Sequence, residues 1–309
     1  MAKTSRKSST RQMADSGQAK IGFIGAGKMA QAIIQGLVKY GRVDAQRIHV
    51  AAPSNTNVEH LKEEYKGIKT SKRNIDIFGR FDCDIIFICV NPHVIRNLYR
   101  IGGSQPAALT TNYIPNMRHP AYVLSLVFGF TTEQIKQCLL NPEDPLKYSV
   151  KFHRCVISPS VAYGVGNCYL DVEPDSTNLA EPVRDILSRV CKLEQLTADM
   201  MDICCIIAGA GMAFSLEFLK AMSDGGVKLG MARNNATKLT AKMISSVAQT
   251  LISSGKNSDF LKDEACSPSG GAVYGLMQLE KSKVHSSICG AVDAAFQRAN
   301  HMATSGNTD

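Results

Sequence analysis

Tryptophan is absent from this 309-residue chain, and aromatic residues make up only 6% of it. A protein that grips single-stranded nucleic acid by stacking bases on aromatic platforms needs more of them. Long apolar runs are missing too. The apolar uncharged stretch Ile203 to Leu216 is fourteen residues, short of the ~20 that a membrane helix needs. The N-terminus has no apolar block of the secretory type. These absences lead us to expect no membrane association, no nucleic-acid partner and a cytoplasmic location. The Ser-, Lys- and Arg-rich opening is only faintly like a mitochondrial leader. Cysteine is plentiful, at ten residues, but no CxxC pair and no HExxH occurs. No metal site is expected, and reduced, buried thiols fit better than a disulfide framework.

The chain does have core-forming residues, 44% hydrophobic against 20% charged, with a formal charge of +8. Lys3, Arg6, Lys7 and Arg11, set against Asp15, place +3 of that in the first nineteen residues. The mild remainder suits binding of small anions better than coating of a polyanion. Residues 1–19 read as a basic disordered tail, and residues 303–309 as a second tail.

From Lys20, short apolar runs alternate with helical spacing. Residues 20–25, 48–52, 83–90 and 122–128 read as strands, and 28–40 and 58–65 as helices. This alternation predicts an α/β fold, a Rossmann-type doubly wound sheet over residues 20–175. Beyond about Ser176 the pattern turns helical, at 179–191, 200–223, 236–253 and 275–302. Several of these helices are apolar on more than one face and must be buried on several sides. An all-helical dimerisation and substrate domain, residues 176–302, packing against a second copy, would supply that burial.

Gly25-Ala26-Gly27-Lys28-Met29-Ala30 follows the first strand directly and opens the first helix. In this GxGxx[G/A] arrangement the first glycine makes a tight turn and the second admits a pyrophosphate. The small sixth residue lets the helix lie against the sheet. The end of the second strand, Ala51-Ala52-Pro53-Ser54-Asn55, carries no acid to hold a ribose diol. A 2′-phosphate would meet no repulsion there, and Ser54, Asn55 and Lys72 or Arg73 could contact it. NADPH is the expected cofactor, with NADH the alternative.

At this point a family resemblance emerges. Residues 21–37, Ala52-Pro53-Ser54, Val90-Asn91-Pro92-His93, 208–214 and 267–276 resemble pyrroline-5-carboxylate reductases. The shorter, cytosolic animal form is the most similar, and the likeness runs from about 20 to 302. It implies a Rossmann domain followed by a helical domain that builds an intertwined homodimer, which can assemble further into a ring. It also implies reduction of 1-pyrroline-5-carboxylate, a cyclic imine, to L-proline by hydride transfer. The cofactor positions it implies are Ile24, Gly25, Ala26, Gly27, Lys28, Met29, Ala52, Ser54, Asn74, Val90, Asn91, Pro92 and Phe128. The catalytic positions are Gly270, Gly271 and Ala272, whose backbone N–H groups would hold the substrate carboxylate.

The chain departs from the family pattern around that substrate pocket. In Ser267-Pro268-Ser269-Gly270-Gly271-Ala272, alanine stands where the family's second threonine would add a hydroxyl. Phe128 stands where the family keeps a methyl, Asn91 where it keeps lysine, and Gly255 where longer members have an acid. Residues 100–121 form a longer connection than is usual. A non-catalytic NADP(H)-binding homologue, serving as sensor or subunit partner, and a reductase for a different imine therefore remain alternatives. His93 reads as packing rather than as a general acid.

Overall fold

The computed structural model describes residues 17–53, 56–102, 107–109, 121–140 and 150–305. Two compact units are present, one comprising residues up to 209 together with 296–309, the other residues 210–295.

The first unit is an eight-stranded sheet. In chain order it contains β1 (Ile21–Ile24), α1 (Lys28–Lys39), β2 (Ile48–Ala51), α2 (Thr56–Glu64), β3 (Lys69–Ser71) and α3 (Ile75–Phe78). Then follow β4 (Ile85–Ile88), α4 (Pro92–Gly102), β5 (Ala121–Ser125), α5 (Thr132–Gln137), β6 (Val150–Ile157), β7 (Gly166–Leu170), α6 (Glu181–Ser188) and β8 (Cys191–Gln195). The strand order is β3-β2-β1-β4-β5-β6-β7-β8. All pairings are parallel except β6 with β7.

The strands β1, β2, β4 and β5 are buried at every residue, as a sheet covered on both faces requires. Alternate residues serve opposite faces. Ile21, Phe23, Ile48, Val50, Ile85 and Phe87 join Ile33, Ile34 and Leu37 of α1 and Val183 and Ile186 of α6 in one core. Phe23 and Phe87 stack at its centre, ring centroids 5.1 Å apart.

Strand content runs past residue 175, where the sequence suggested helix alone. The segment read as a helix over 179–191 ends at Ser188, and Cys191–Gln195 then pairs with β7. Both tails are also shorter than expected. Ala19 is fully buried and its carbonyl accepts from Arg47 Nε. At the other end the last helix continues to Ser305, and Ala303 is buried. Small apolar residues at both places complete the core, which composition alone did not reveal. Residues 1–16 and 306–309 lie outside the described set, as does most of the 100–121 connection.

Helical structure follows: α7 (Met201–Cys205), a π-helical turn (Ile206–Ala210), α8 (Gly211–Lys228), α9 (Arg233–Ser254), α10 (Ser258–Glu264), α11 (Gly271–Lys281) and α12 (Val284–Ser305). The run Ala198–Lys228 is 31 residues of helix, long and apolar enough to cross a membrane by length and composition. This corrects the expectation drawn from fourteen uncharged residues. Asp202 and Glu217 bound that stretch, but a helix can carry one or two charges and stay apolar on average. In the second unit, Phe214, Phe218, Met222, Met243, Val247 and Ile288 line a groove of 530 Å³.

Candidate nucleotide and substrate sites

The β1–α1 turn is fixed from both sides. The Gly25 N–H donates to Ala51 O at 2.8 Å, and the Cys89 N–H donates to Ile24 O at 2.8 Å. Gly25 has φ +100, and a Cβ there would lie 2.6 Å from Cys89 O. Only glycine fits this left-handed, crowded position. Gly27, by contrast, has nothing nearer than 3.9 Å, so its Cα face is open to an approaching ligand.

Gly27 is also the N-cap of α1 and supplies no capping side chain. The first-turn N–H groups therefore have no acceptor within the helix, and the aligned peptide dipoles put about half a positive charge there. Lys28, exposed at the first helical position, adds a full charge, and no acid lies in the first turn. Gln31 Nε2 braces the turn by donating to Ala26 O at 2.9 Å. Ile24 and Ala26 are buried beneath it, and Met29 packs against the core. Such a cradle binds a phosphate group. It lies where strand order reverses about β1, the usual crevice of a doubly wound sheet.

Ala52, at the end of β2, is buried and donates its N–H to Ser71 O at 3.0 Å. Ser54 lies outside the described residues. Asn74 directly precedes α3, and its Nδ2 donates to Leu109 O at 2.9 Å. Its Oδ1 is buried without a partner among the described residues. An unmet buried acceptor costs about 1–3 kcal/mol, which a ligand hydroxyl could recover.

At the end of β4 come Val90, half-buried, Asn91, exposed, and Pro92, which begins α4. The Cys89 thiol is pushed up to about 12 by burial, so it is inert rather than nucleophilic. The Nδ1 of His93 is buried and has no partner among the described residues. That leaves the packing reading of His93 without the hydrogen bond it would normally include.

Phe128 follows β5. It is 6% exposed and meets Phe296 of α12 edge-on, centroids 6.1 Å apart. Its benzyl group is thus taken up by packing with this chain's own last helix. The next residue, Gly129, donates its N–H to Asp202 Oδ1 at 3.0 Å, and the buried Arg154 donates to the same oxygen. Sequence reasoning missed this Arg154–Asp202 strut. Its members are 48 positions apart, and neither belongs to a motif.

Gly270, Gly271 and Ala272 belong to the second unit, whereas every described candidate cofactor residue belongs to the first. Gly270 is the N-cap of α11, with no side-chain cap and no acid in the first turn. Gly271 and Ala272 are exposed at its first two positions, where amide hydrogens have no intrahelical acceptor. The geometry suits a carboxylate. Ser269, just before, holds φ +58, a left-handed conformation that costs a side-chain-bearing residue roughly 1–2 kcal/mol. Among the described residues, no group of three or more His, Cys, Asp or Glu could hold a metal ion.

Two family profiles match separate parts of the chain. A family profile described as pyrroline-5-carboxylate reductase dimerisation matches residues 198–302. One described as NADP oxidoreductase, coenzyme F420-dependent, matches 20–107. The pyrroline-5-carboxylate reductase 3 of Xenopus laevis is 28% identical over 283 residues, covering 91% of this chain and 95% of that protein. A pyrroline-5-carboxylate reductase of Methanosarcina acetivorans is 26% identical, covering 92% and 97%. Among solved structures, the Plasmodium falciparum pyrroline carboxylate reductase, with NADP bound, superposes with a TM-score of 0.68 at 21% identity, covering 93% of this chain and 98% of that one. The Streptococcus pyogenes 1-pyrroline-5-carboxylate reductase gives 0.70 at 18% identity, covering 92% and 98%. These two likenesses establish the fold.

Proposed function

We propose, from the premise that this chain belongs to the pyrroline-5-carboxylate reductase family, that it reduces 1-pyrroline-5-carboxylate to L-proline with NADPH. The observation that carries this reading is the intact β1–α1 cradle, where an obligatory glycine at φ +100 and an uncapped helix end meet an exposed lysine. When bound, NADPH supplies the hydride.

The chain's residues have modest tasks. The α1 amides and Lys28 hold the pyrophosphate, and Asn74 Oδ1 accepts from a ribose hydroxyl. The first-turn amides of α11, from Gly271 and Ala272, hold the substrate carboxylate. The protonated cyclic imine is already a cation, so hydride adds to its carbon while the nitrogen keeps its proton. No general acid is required, and orientation supplies most of the rate. Losing the family hydroxyl at Ala272 removes one neutral hydrogen bond, about 0.5–1.5 kcal/mol, which weakens substrate binding without abolishing reaction. The packing of Phe128 on Phe296 favours catalysis over the non-catalytic alternative, since the ring has a place inside the protein.

The apolar groove of the second unit supports a homodimer, and the profile match over 198–302 points the same way. On this reading a second copy, rather than a bilayer, covers Ala198–Lys228, and dimers join into a ring in the cytoplasm. The test is NADPH oxidation with pyrroline-5-carboxylate, with proline identified as product. Tight NADPH binding without turnover at millimolar substrate would remove the reductase reading.

A further inference from the structure

Strands β1, β4 and β5 release the chain side by side. The Leu126 N–H donates to Ile88 O at 3.1 Å, and the Cys89 N–H donates to Ile24 O at 2.8 Å. The turn at residues 127–129 therefore borders the same carboxyl edge of the sheet as the phosphate cradle, where a dinucleotide would lie.

That turn is held largely by groups remote in sequence. The Val127 N–H donates to the buried Ser125 Oγ at 3.3 Å, but the Gly129 N–H donates to Asp202 Oδ1 of α7 at 3.0 Å. Phe128 meets Phe296 of α12 edge-on. Gly129 holds φ +74, and a Cβ there would fall 2.7 Å from that of Ala303, also on α12. Two helices thus converge on two neighbouring residues. The chain leaves the first unit just beyond α7 and re-enters it within α12.

Asp202 is itself anchored from the sheet. Arg154, on β6 opposite Ser125, donates to the oxygen that Gly129 uses. The Arg154 side chain is 9% exposed and that of Asp202 33%. A buried ion pair adds little net stability because both charges must be stripped of water, so geometry is its main product. Here the geometry produced is a charge-assisted hold on one turn amide.

We infer that Asp202 is a positioning residue for the nicotinamide end of NADPH: by holding Gly129 it sets the turn on which that ring rests. Arg154 keeps Asp202 in place, and neither side chain touches cofactor or substrate. The inference rests on the dinucleotide reading above and assigns to α7 and β6 a task that the glycine turn cannot perform.

Asp202→Ala alone would leave a buried guanidinium unpaired and damage the fold, so the test compares two double variants. Arg154→Leu/Asp202→Asn removes both charges and keeps an acceptor for Gly129. Arg154→Leu/Asp202→Ala removes the acceptor as well. Two binding readouts apply: calorimetry with 2′,5′-ADP, which has no nicotinamide, and the emission of bound NADPH, which shifts when the ring leaves water. The unaltered chain and both variants should bind 2′,5′-ADP alike. Emission should stay shifted in the asparagine variant and return toward that of free NADPH in the alanine variant. There alone kcat should fall roughly tenfold, as misorientation predicts. Arg154→Leu/Asp202→Ser, whose side chain is too short to reach Gly129, repeats the comparison should the alanine variant fail to fold. Equal emission with and without the acceptor, or an unshifted spectrum in the unaltered chain, would overturn the inference. So would loss of 2′,5′-ADP binding together with NADPH in the variants lacking the acceptor, which is the mark of a merely structural pair. If the unaltered chain binds neither probe, the dinucleotide reading itself falls.

Discussion

His49 sits inside β2, 2% exposed and stacked on Phe81 with centroids 4.8 Å apart. Both its ring nitrogens are buried without partners among the described residues. Burial, followed by the charges of Lys69 and Lys20, pushes its pKa down to about 4 from 6.5. Between these values the unfolded chain binds the proton that the native state refuses, so stability rises with pH there. The full contribution is present above about pH 6.5 and is lost as pH falls toward 4, a change of order 3 kcal/mol. Urea midpoints measured from pH 7.5 to 4.5 should show this slope, and His49→Phe should flatten it. An unchanged slope in that variant would exclude His49 as its source. At this scale the candidate site was only partly legible. Gly25, Gly27 and Lys28 announce themselves by spacing, because a phosphate cradle is local in sequence. Asn74 came from family likeness alone, and the Arg154–Asp202 strut joins distant segments through no repeating pattern.

The start of α11 shows what an element asks of its entry turn. Ser269 occupies a left-handed position just ahead of an uncapped helix whose first amides are the proposed carboxylate ligands. Ser269→Gly should relieve the strain and raise unfolding stability by about 1 kcal/mol, read from urea denaturation. A destabilised variant would mean that the serine side chain contributes something the backbone conformation does not reveal. Strands β1, β2, β4 and β5 were legible as apolar runs because both faces of a central parallel strand are covered. The edge was not. Lys69-Thr70-Ser71 has no apolar residue, and Cys191-Lys192-Leu193-Glu194-Gln195 alternates as a strand half open to water. Each was recognisable only once its neighbour was in place.

For the molecule as a whole, the exposed apolar residues of the second unit exceed what a lone chain would keep in water. Phe218 is 42% exposed and Met243 37% exposed, and both line the 530 Å³ groove. If a second copy fills it, thermal stability should rise with protein concentration, and sedimentation should report a dimer. Phe218→Asp should shift that equilibrium to monomer, since burying one such side chain is worth roughly 1.5–3 kcal/mol. A concentration-independent monomer in the unaltered chain would refute the assembly. The helical character of this half was legible as an excess of apolar residues on several faces, but the point where the sheet ends was not, since β8 reads as polar.

The last helix has a consequence for how the protein is made. Phe296 meets Phe128, and a Cβ built on Gly129 would come 2.7 Å from that of Ala303. The nucleotide-binding half is thus closed by residues synthesised after the whole of the second unit. A ribosome that has released only the first two hundred residues has produced a sheet with one seam still unsealed. Nascent chains would stay vulnerable to proteases there until residues 296–305 have emerged, and an excised N-terminal fragment would need those residues supplied as a separate peptide to become whole.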